Sequence, residues 1–374
     1  KMMLLPMAII TLFWKDQIGL SLTEIMLLQA IFSLSSLCLE FPSGYVSDRL
    51  GYRFALNLAA LLGIIGWGLY TVADTFSGVL LAEIVLWISF AFISGSDSAL
   101  LFESLRQQGH EGEYSRLDGR MTGWGQVGEA AGAICAGLLY AKLPILPFAI
   151  QILIWAAALG VTFSLDDAEP AQKIERSHLG ELVAIWKLAW CENRSIRSTI
   201  LMATCLGLAS FYPVWLIQPY MQSCQVPLSW FGPIWAGANL TVAFFSVLSH
   251  RVTDRIGVRG QLGIFFVLSM IGLLGLGLTA SLFSFLFYYL LTAMRGLQGP
   301  FSRHFLHRQS RRSHRASILS LKALSFRLGF VVSGPLIGLV ADRYGINVAF
   351  TGIAICFFFA YLFLAGIFFR HNCA

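Results

Sequence analysis

Eight ionisable side chains sit inside long apolar runs of this chain: Glu40, Glu83, Asp97, Glu103, Glu129, Arg295, Lys322 and Arg327. A charge in hydrocarbon costs about 3 kcal/mol or more unless it meets a partner or water. Such residues therefore face a protein interior or an aqueous cavity. The five acids fall in the first half of the chain and the three cations in the second. Glu129 is the leading candidate for proton coupling, with Gln126 one turn away on the same helical face. A carboxyl in that place can bind and release a proton as the cavity changes exposure. The alternative for Glu129 is an ion pair with Arg327 or Lys322. Asp97, six residues before Glu103, is the second coupling candidate. Glu40 and Glu103 suit a gate closed with Arg49, Arg106 or Arg120, and Glu83 reaches the membrane interface.

The cations suggest a ligand. Arg295 and Gln298 share a face at i, i+3. Lys322 and Arg327 stand about 140° apart on an ideal helix, so one of them enters the cavity. A basic interior opposite an acidic one fits a solute with an anionic or zwitterionic end, held between the halves. The alternative is that the opposite charges close an empty gate. Phe211, Trp215, Gln218 and Gln222 form an aromatic-polar stripe on one helical face, where Pro213 and Pro219 allow a kink. Trp235 and Asn239 add a second polar-aromatic pair at i, i+4.

Other chemistry is missing from the sequence. All seven histidines (110, 178, 250, 304, 307, 314 and 371) fall in polar connections, at their edges or in the tail. The seven cysteines are scattered without a CxxC pair. No metal site, cofactor or nucleophile-base set is expected, and no phosphate-cradling GxxxxGK[ST] loop occurs. The expectation is therefore a protein that is neither an enzyme nor ATP-driven.

The elements that hold these residues follow from composition. Of 374 residues, 57% are hydrophobic and only 12% charged, with a mean hydropathy of +0.71. Soluble domains are near a quarter charged, so water is excluded as the main solvent. A span needs about 20 apolar residues, and the chain has room for roughly twelve. Apolar runs recur at about 1–14, 24–46, 54–73, 78–103, 119–141, 144–163, 198–222, 228–249, 261–280, 282–303, 317–341 and 347–369. The chain opens inside an apolar run, so the first helix reads as truncated. The longest polar interruption, 166–197, carries Leu179, Leu182, Val183, Trp186 and Trp190 on one helical face. It reads as a cytoplasmic linker with an amphipathic helix in the membrane plane. The predicted fold is an all-α membrane protein with twelve transmembrane helices in two pseudo-symmetric six-helix bundles. These bundles are 1–165 and 198–374, joined by 166–197.

Orientation comes from the basic residues. Most of the 26 Lys and Arg fall in alternate connections and the tail, while the other side keeps Lys15, Lys142 and Arg343. Both termini are therefore expected in the cytoplasm of a bacterial inner membrane. The net charge of +6 is a belt facing anionic lipid, and no nucleic acid is expected as partner.

A repeat completes the pattern. GYVSDRLGYR at 44–53 and HRVTDRIGVR at 250–259 align at a constant offset of 206 residues, pairing Asp48, Arg49, Gly51 and Arg53 with Asp254, Arg255, Gly257 and Arg259. At these residues, with LEFPSG at 39–44, SGSDSALLFESL at 94–105 and ADRYG at 341–345, the chain resembles the major facilitator superfamily. The resemblance implies alternating access by two six-helix halves, acting as a monomer on a small-molecule substrate. It also implies that the loop between spans 2 and 3 (Gly44, Asp48, Arg49, Gly51, Arg53) is a cytoplasmic latch. Its Asp would lie near the end of span 11 and its Arg in an ionic cluster with span 4. Asp254 and Arg255 would be the weaker counterpart. Proton-driven drug exporters of that family often carry a Gly-Pro signature in span 5, whereas this span reads GWGQVGEAAGAICAG without proline. The expected function is secondary active transport of a small polar organic solute coupled to protons. The alternative is a proton-driven multidrug exporter.

Overall fold

A chain in lipid must satisfy its backbone groups within its own segments, and this one does so with helices. The computed structural model describes residues 4–94, 96–166, 186–309 and 315–372. Within its helices the side chains of residues 36–42, 44, 45, 48, 115, 122, 126, 188, 315, 316 and 372 are outside the description. Among the described residues there is no strand.

The first run is short and irregular: a 3-10 turn Leu5–Ala8, then α1 (Ile10–Leu12), then a π turn Phe13–Gln17. It is followed by α2 (Leu22–Leu50), α3 (Tyr52–Tyr70), α4 (Phe76–Ile93), α5 (Ser96–Gln107), α6 (Tyr114–Lys142) and α7 (Leu146–Phe163). The second half contains α8 (Arg194–Ser223), α9 (Leu228–Leu278), α10 (Leu286–Gln309), α11 (Arg315–Tyr344) and α12 (Ile346–Asn372). Seven of the described helical stretches are long and apolar enough to cross a bilayer. Their outward surfaces suit lipid: Val247 is 84% exposed, Val332 70% and Phe363 69%.

Local sequence sets the ends. Ser21 and Glu24 form a reciprocal capping box: the Ser21 N–H donates to the Glu24 carboxylate at 2.8 Å, and the Glu24 N–H donates to Ser21 Oγ at 3.2 Å. Asn193 accepts from the N–H groups of Ser195 and Ile196, which opens α8. Both repeat turns break at their glycine, Gly51 with φ +95° and Gly257 with φ +67°. Only a residue without Cβ adopts that backbone readily.

Two elements differ from the sequence reading. The fourth apolar run is two helices, because α4 stops at Ser94, whose ψ of 110° leaves the helix. The amphipathic face expected at 179–190 lies largely outside the described residues. Its last part is a π turn, Leu188–Glu192. There Ala189 is buried with Ile196, Ile200, Leu306 and Ile318, and Trp190 packs on that cluster. Trp190 is thus partly covered by protein.

Contacts divide the chain into two units. The first gathers Lys1–Leu20, Ile31–Ile174 and Pro227–Ala236, and the second Ser21–Ala30, Glu175–Val226 and Gly237–Ala374. The first unit centres on Trp14, Trp67, Tyr70, Phe148 and Trp155, all fully buried. Gly63 leaves the space that the Trp155 ring fills, since a Cβ there would lie 1.8 Å from it. The second unit is tied by polar groups as well as rings. Asn347 donates to the Leu276 and Thr279 carbonyls, Tyr220 donates to Thr279 at 2.7 Å, and Tyr361 donates to Leu262 at 2.6 Å.

Candidate functional site

The basic side of the site is built on α8 and α10 of the second unit. The i, i+3 spacing points Arg295 and Gln298 at the same neighbour. Arg295 Nε donates to Ser210 Oγ at 3.3 Å and its NH2 group donates to the Ser210 carbonyl, while Gln298 Nε2 donates to the Ala203 carbonyl at 3.0 Å. Among the described residues the polar groups around Arg295 are Ser210 and the Tyr288 hydroxyl, none carrying a compensating charge. On α11, Lys322 donates to Ser302 Oγ at 3.2 Å, and the nearest other charge acting on it is Arg303, which is also positive. Two cations thus sit in apolar helices with neutral partners, an arrangement ready to receive negative charge.

The aromatic-polar stripe on α8 is packed within the unit. Phe211 meets Trp215, Phe326 and Phe330 edge-on, with centroids 6.1, 5.2 and 4.9 Å apart. Trp215 is 8% exposed and Gln218 1%. Asn239 on α9 and Arg327 on α11 are partly buried. A cavity of about 550 Å³ does open between α8, α11 and α12. It is lined by Cys205, Tyr212, Ser333, Cys356 and Phe357 with other apolar residues, and by none of the predicted binding residues.

The acids lie in the first unit. Glu129 is partly buried midway along α6, and the Gln126 side chain lies outside the described residues. Asp97 falls in the first turn of α5, directly after the break in the fourth run, and accepts from the Ser98 N–H at 2.7 Å. A negative charge at that position is favoured by the helix dipole. Glu103 is 5% exposed and pairs with Arg106 at 2.7 Å, one of the three partners expected for it. Among the described residues, no group of three or more His, Cys, Asp or Glu could hold a metal ion.

The repeat turns are only partly described. The side chains of Glu40, Gly44 and Asp48 lie outside the description, and Arg49 is exposed at the end of α2. Arg53, expected in the gate, donates to the Phe163 carbonyl and so holds α3 to the end of α7. It is drawn there because the last carbonyls of a helix lack partners of their own. Asp254 is exposed and pairs with His250 one turn back on its own helix at 3.3 Å, and Arg255 is exposed.

Three features were missed. First, the ADRYG segment noted for its resemblance carries the D-R-x-G pattern of the repeat a third time, at Asp342-Arg343-Tyr344-Gly345, with Gly345 again at a positive φ of +93°, but its capping role was not read. There Asp342 caps the start of α2, accepting from the Leu22 N–H at 2.9 Å, the Thr23 N–H at 2.8 Å and the Thr23 hydroxyl at 2.6 Å. The segment itself was legible, but the helix that it caps, some 320 residues earlier, was not. Second, Gly232 packs on the Ala133 carbonyl and Gly137 on the Leu228 carbonyl, so that a Cβ at either would fall about 2 Å from that oxygen. Third, Glu83 does not reach an interface: it is 8% exposed and accepts a hydrogen bond from the Tyr70 hydroxyl. The packing of α3 on α4 holds it inward, which no pattern in α4 alone reveals.

Comparison with known proteins follows the same outline. Residues 2–302 match the family model for the Major Facilitator Superfamily. A curated relative from Bacillus subtilis (strain 168), the uncharacterized MFS-type transporter YxaM, is 22% identical over 370 residues, covering 94% of this chain and 88% of its own. Among solved structures, the nucleoside transporter NupG superposes with a TM-score of 0.83 at 14% identity, covering 97% of this chain and 94% of that one. A bacterial homologue of the human lysosomal transporter Spinster, in an inward-facing and unoccupied conformation, gives 0.73 at 13% identity, covering 98% and 94%. With its helices, its repeat turns and this match in sequence, the chain belongs to the major facilitator superfamily and is an integral membrane transporter, not an enzyme.

Proposed function

We propose that this transporter moves a small polar organic solute bearing a carboxylate or other anionic end, zwitterions included, by alternating access coupled to protons. The observation that carries the reading is Arg295: a guanidinium within an apolar helix whose described partners are neutral oxygens. Such a charge is stabilised when an anion arrives, and planar bidentate contact would give it orientation as well. Gln298, Lys322 and Arg327 supply further donors, and Trp215, Gln218 and Asn239 shape the apolar side. Glu129, with Gln126 beside it, is the first coupling carboxyl and Asp97 the second. In this reading 1–165 and 198–374 are two six-helix bundles of a monomer in a bacterial inner membrane, with 166–197 and both termini in the cytoplasm. Asp48 and Arg49, with Glu40, Gly44 and Gly51, form the cytoplasmic gate.

The test is a thermal-shift screen of the purified protein against carboxylates, zwitterionic amino acids, siderophores, nucleosides and lipophilic cations. Carboxylate-bearing solutes should raise the melting temperature, and Arg295→Ala should abolish the shift. Stabilisation by neutral nucleosides alone, or equal shifts in Arg295→Ala, overturns the reading. The multidrug alternative is favoured by one observation, the apolar cavity of about 550 Å³. It predicts binding of lipophilic cations and protection against them in a pump-deleted host.

A further inference from the structure

We infer that Glu83, held by Tyr70 against the broken first span, is a proton-binding site that is separate from Glu129 and Asp97 and controls the conformation of that span. Glu83 lies in α4, with only 8% of its surface exposed, and its Oε1 accepts from the Tyr70 hydroxyl of α3. Tyr70 is fully buried in a box of rings: Trp67 at 5.4 Å, Phe148 at 5.3 Å and Phe13 at 6.3 Å between centroids. Trp14, also fully buried, sets its indole beside the same hydroxyl. A carboxyl in such surroundings is costly when ionised, and a neutral side chain of similar volume would stabilise the bundle as well or better. Its presence needs a use.

The first span supplies one. Phe13 and Trp14 belong to a π turn, and the segment before it passes through a 3-10 turn and an irregular Ile9 (φ −135°, ψ 1°) within a few residues. Helical registers of this kind lie close in energy and collect at functional positions. When Glu83 is ionised, Tyr70 donates to it and leaves its own oxygen free to accept from Trp14. When a proton from water binds Glu83, the carboxyl can donate to the Tyr70 oxygen. The Trp14 indole N–H, a donor only, has the same acceptor beside it, and the two donors then compete for it. One O–H bond forms on Glu83, a proton leaves the aqueous phase, and no other reactant is needed. The span that carries Trp14 therefore senses the proton.

Among the described residues, the titratable groups on the neighbouring elements are few. On α4 Glu83 is the only ionisable residue, and α7 has none between Leu146 and Phe163, offering the fully buried Gln151 that accepts from the Leu5 N–H at 2.9 Å. On α3 the other charge is Arg53, at the opposite end on the Phe163 carbonyl. In the π turn, Lys15 is partly buried and Asp16 exposed, and the next residue, Gln17, meets Tyr140 of α6.

The test needs no solute, so its outcome is independent of the transport reading. Infrared difference spectra of the purified protein in lipid nanodiscs, taken from about pH 5 to about pH 9, should show a protonated-carboxyl C=O band that titrates. Glu83→Gln should remove that band, and proton uptake measured with a soluble pH dye should fall by one proton per chain. Tyr70→Phe should keep the band and shift its frequency, since the hydrogen bond is lost while the ring remains. A wild-type band that survives Glu83→Gln, or one whose frequency Tyr70→Phe leaves unshifted, overturns the inference. Should Glu83→Gln fail to fold, Tyr70→Phe decides alone.

Discussion

At the scale of single residues, the polar groups that matter are those whose partners leave something unbalanced. Arg295 has the Ser210 oxygens but no carboxylate among the described residues. Arg295→Lys keeps the charge and loses the planar fork, so affinity for a carboxylate solute should fall about tenfold, against a complete loss in Arg295→Ala. Isothermal titration with any hit from the screen measures both. Asp342 is the opposite case, with two oxygens serving three donors of α2. Asp342→Asn has a single acceptor oxygen and no charge to meet the helix dipole, a loss of about 1 kcal/mol. A cysteine placed at Ser21 should then react with a water-soluble maleimide roughly five- to tenfold faster. The Arg295–Gln298 pair was legible from its spacing. Glu83 was misread because its neighbours in α4 say nothing about Tyr70, which reaches it from another helix.

At the scale of elements, the bilayer made most of the architecture readable. Apolar runs about 20 residues long have few alternatives to helix in lipid. The breaks inside runs were harder. Gly51 and Gly257 were marked by the repeat, but the end of α4 at Ser94 and the π turn at Phe13–Gln17 come from packing and left no periodic trace. Close helix contacts depend on which glycines face a neighbouring helix, and the structure separates those that do. Gly63 is one, because Trp155 occupies the place of its side chain. Gly63→Ala should destabilise the first unit by about 1–3 kcal/mol through overpacking. Melting in detergent should show the drop, while Gly68→Ala, in the same helix with open space around it, leaves the midpoint unchanged.

At the scale of the whole molecule, membership of the two units repeats the internal symmetry of the sequence. The stretch Ser21–Ala30 joins the second unit and Pro227–Ala236 the first, and these stretches are related by the same offset of 206 that relates Asp48 to Asp254. Proton coupling is tested at this scale. In proteoliposomes Glu129→Gln should retain exchange of solute across the membrane and lose accumulation driven by a pH gradient. Gradient-driven uptake that survives the substitution would move coupling to another carboxyl.

The shared offset also marks one junction in each half of the chain. Helix α2 changes allegiance between Ala30 and Ile31, and α9 does so between Ala236 and Gly237. Each helix thus has its first turns grouped with one unit and its remainder with the other, at positions that the repeat makes equivalent. The last residue before each junction is the same small and buried one, with Ala30 3% exposed and Ala236 4%.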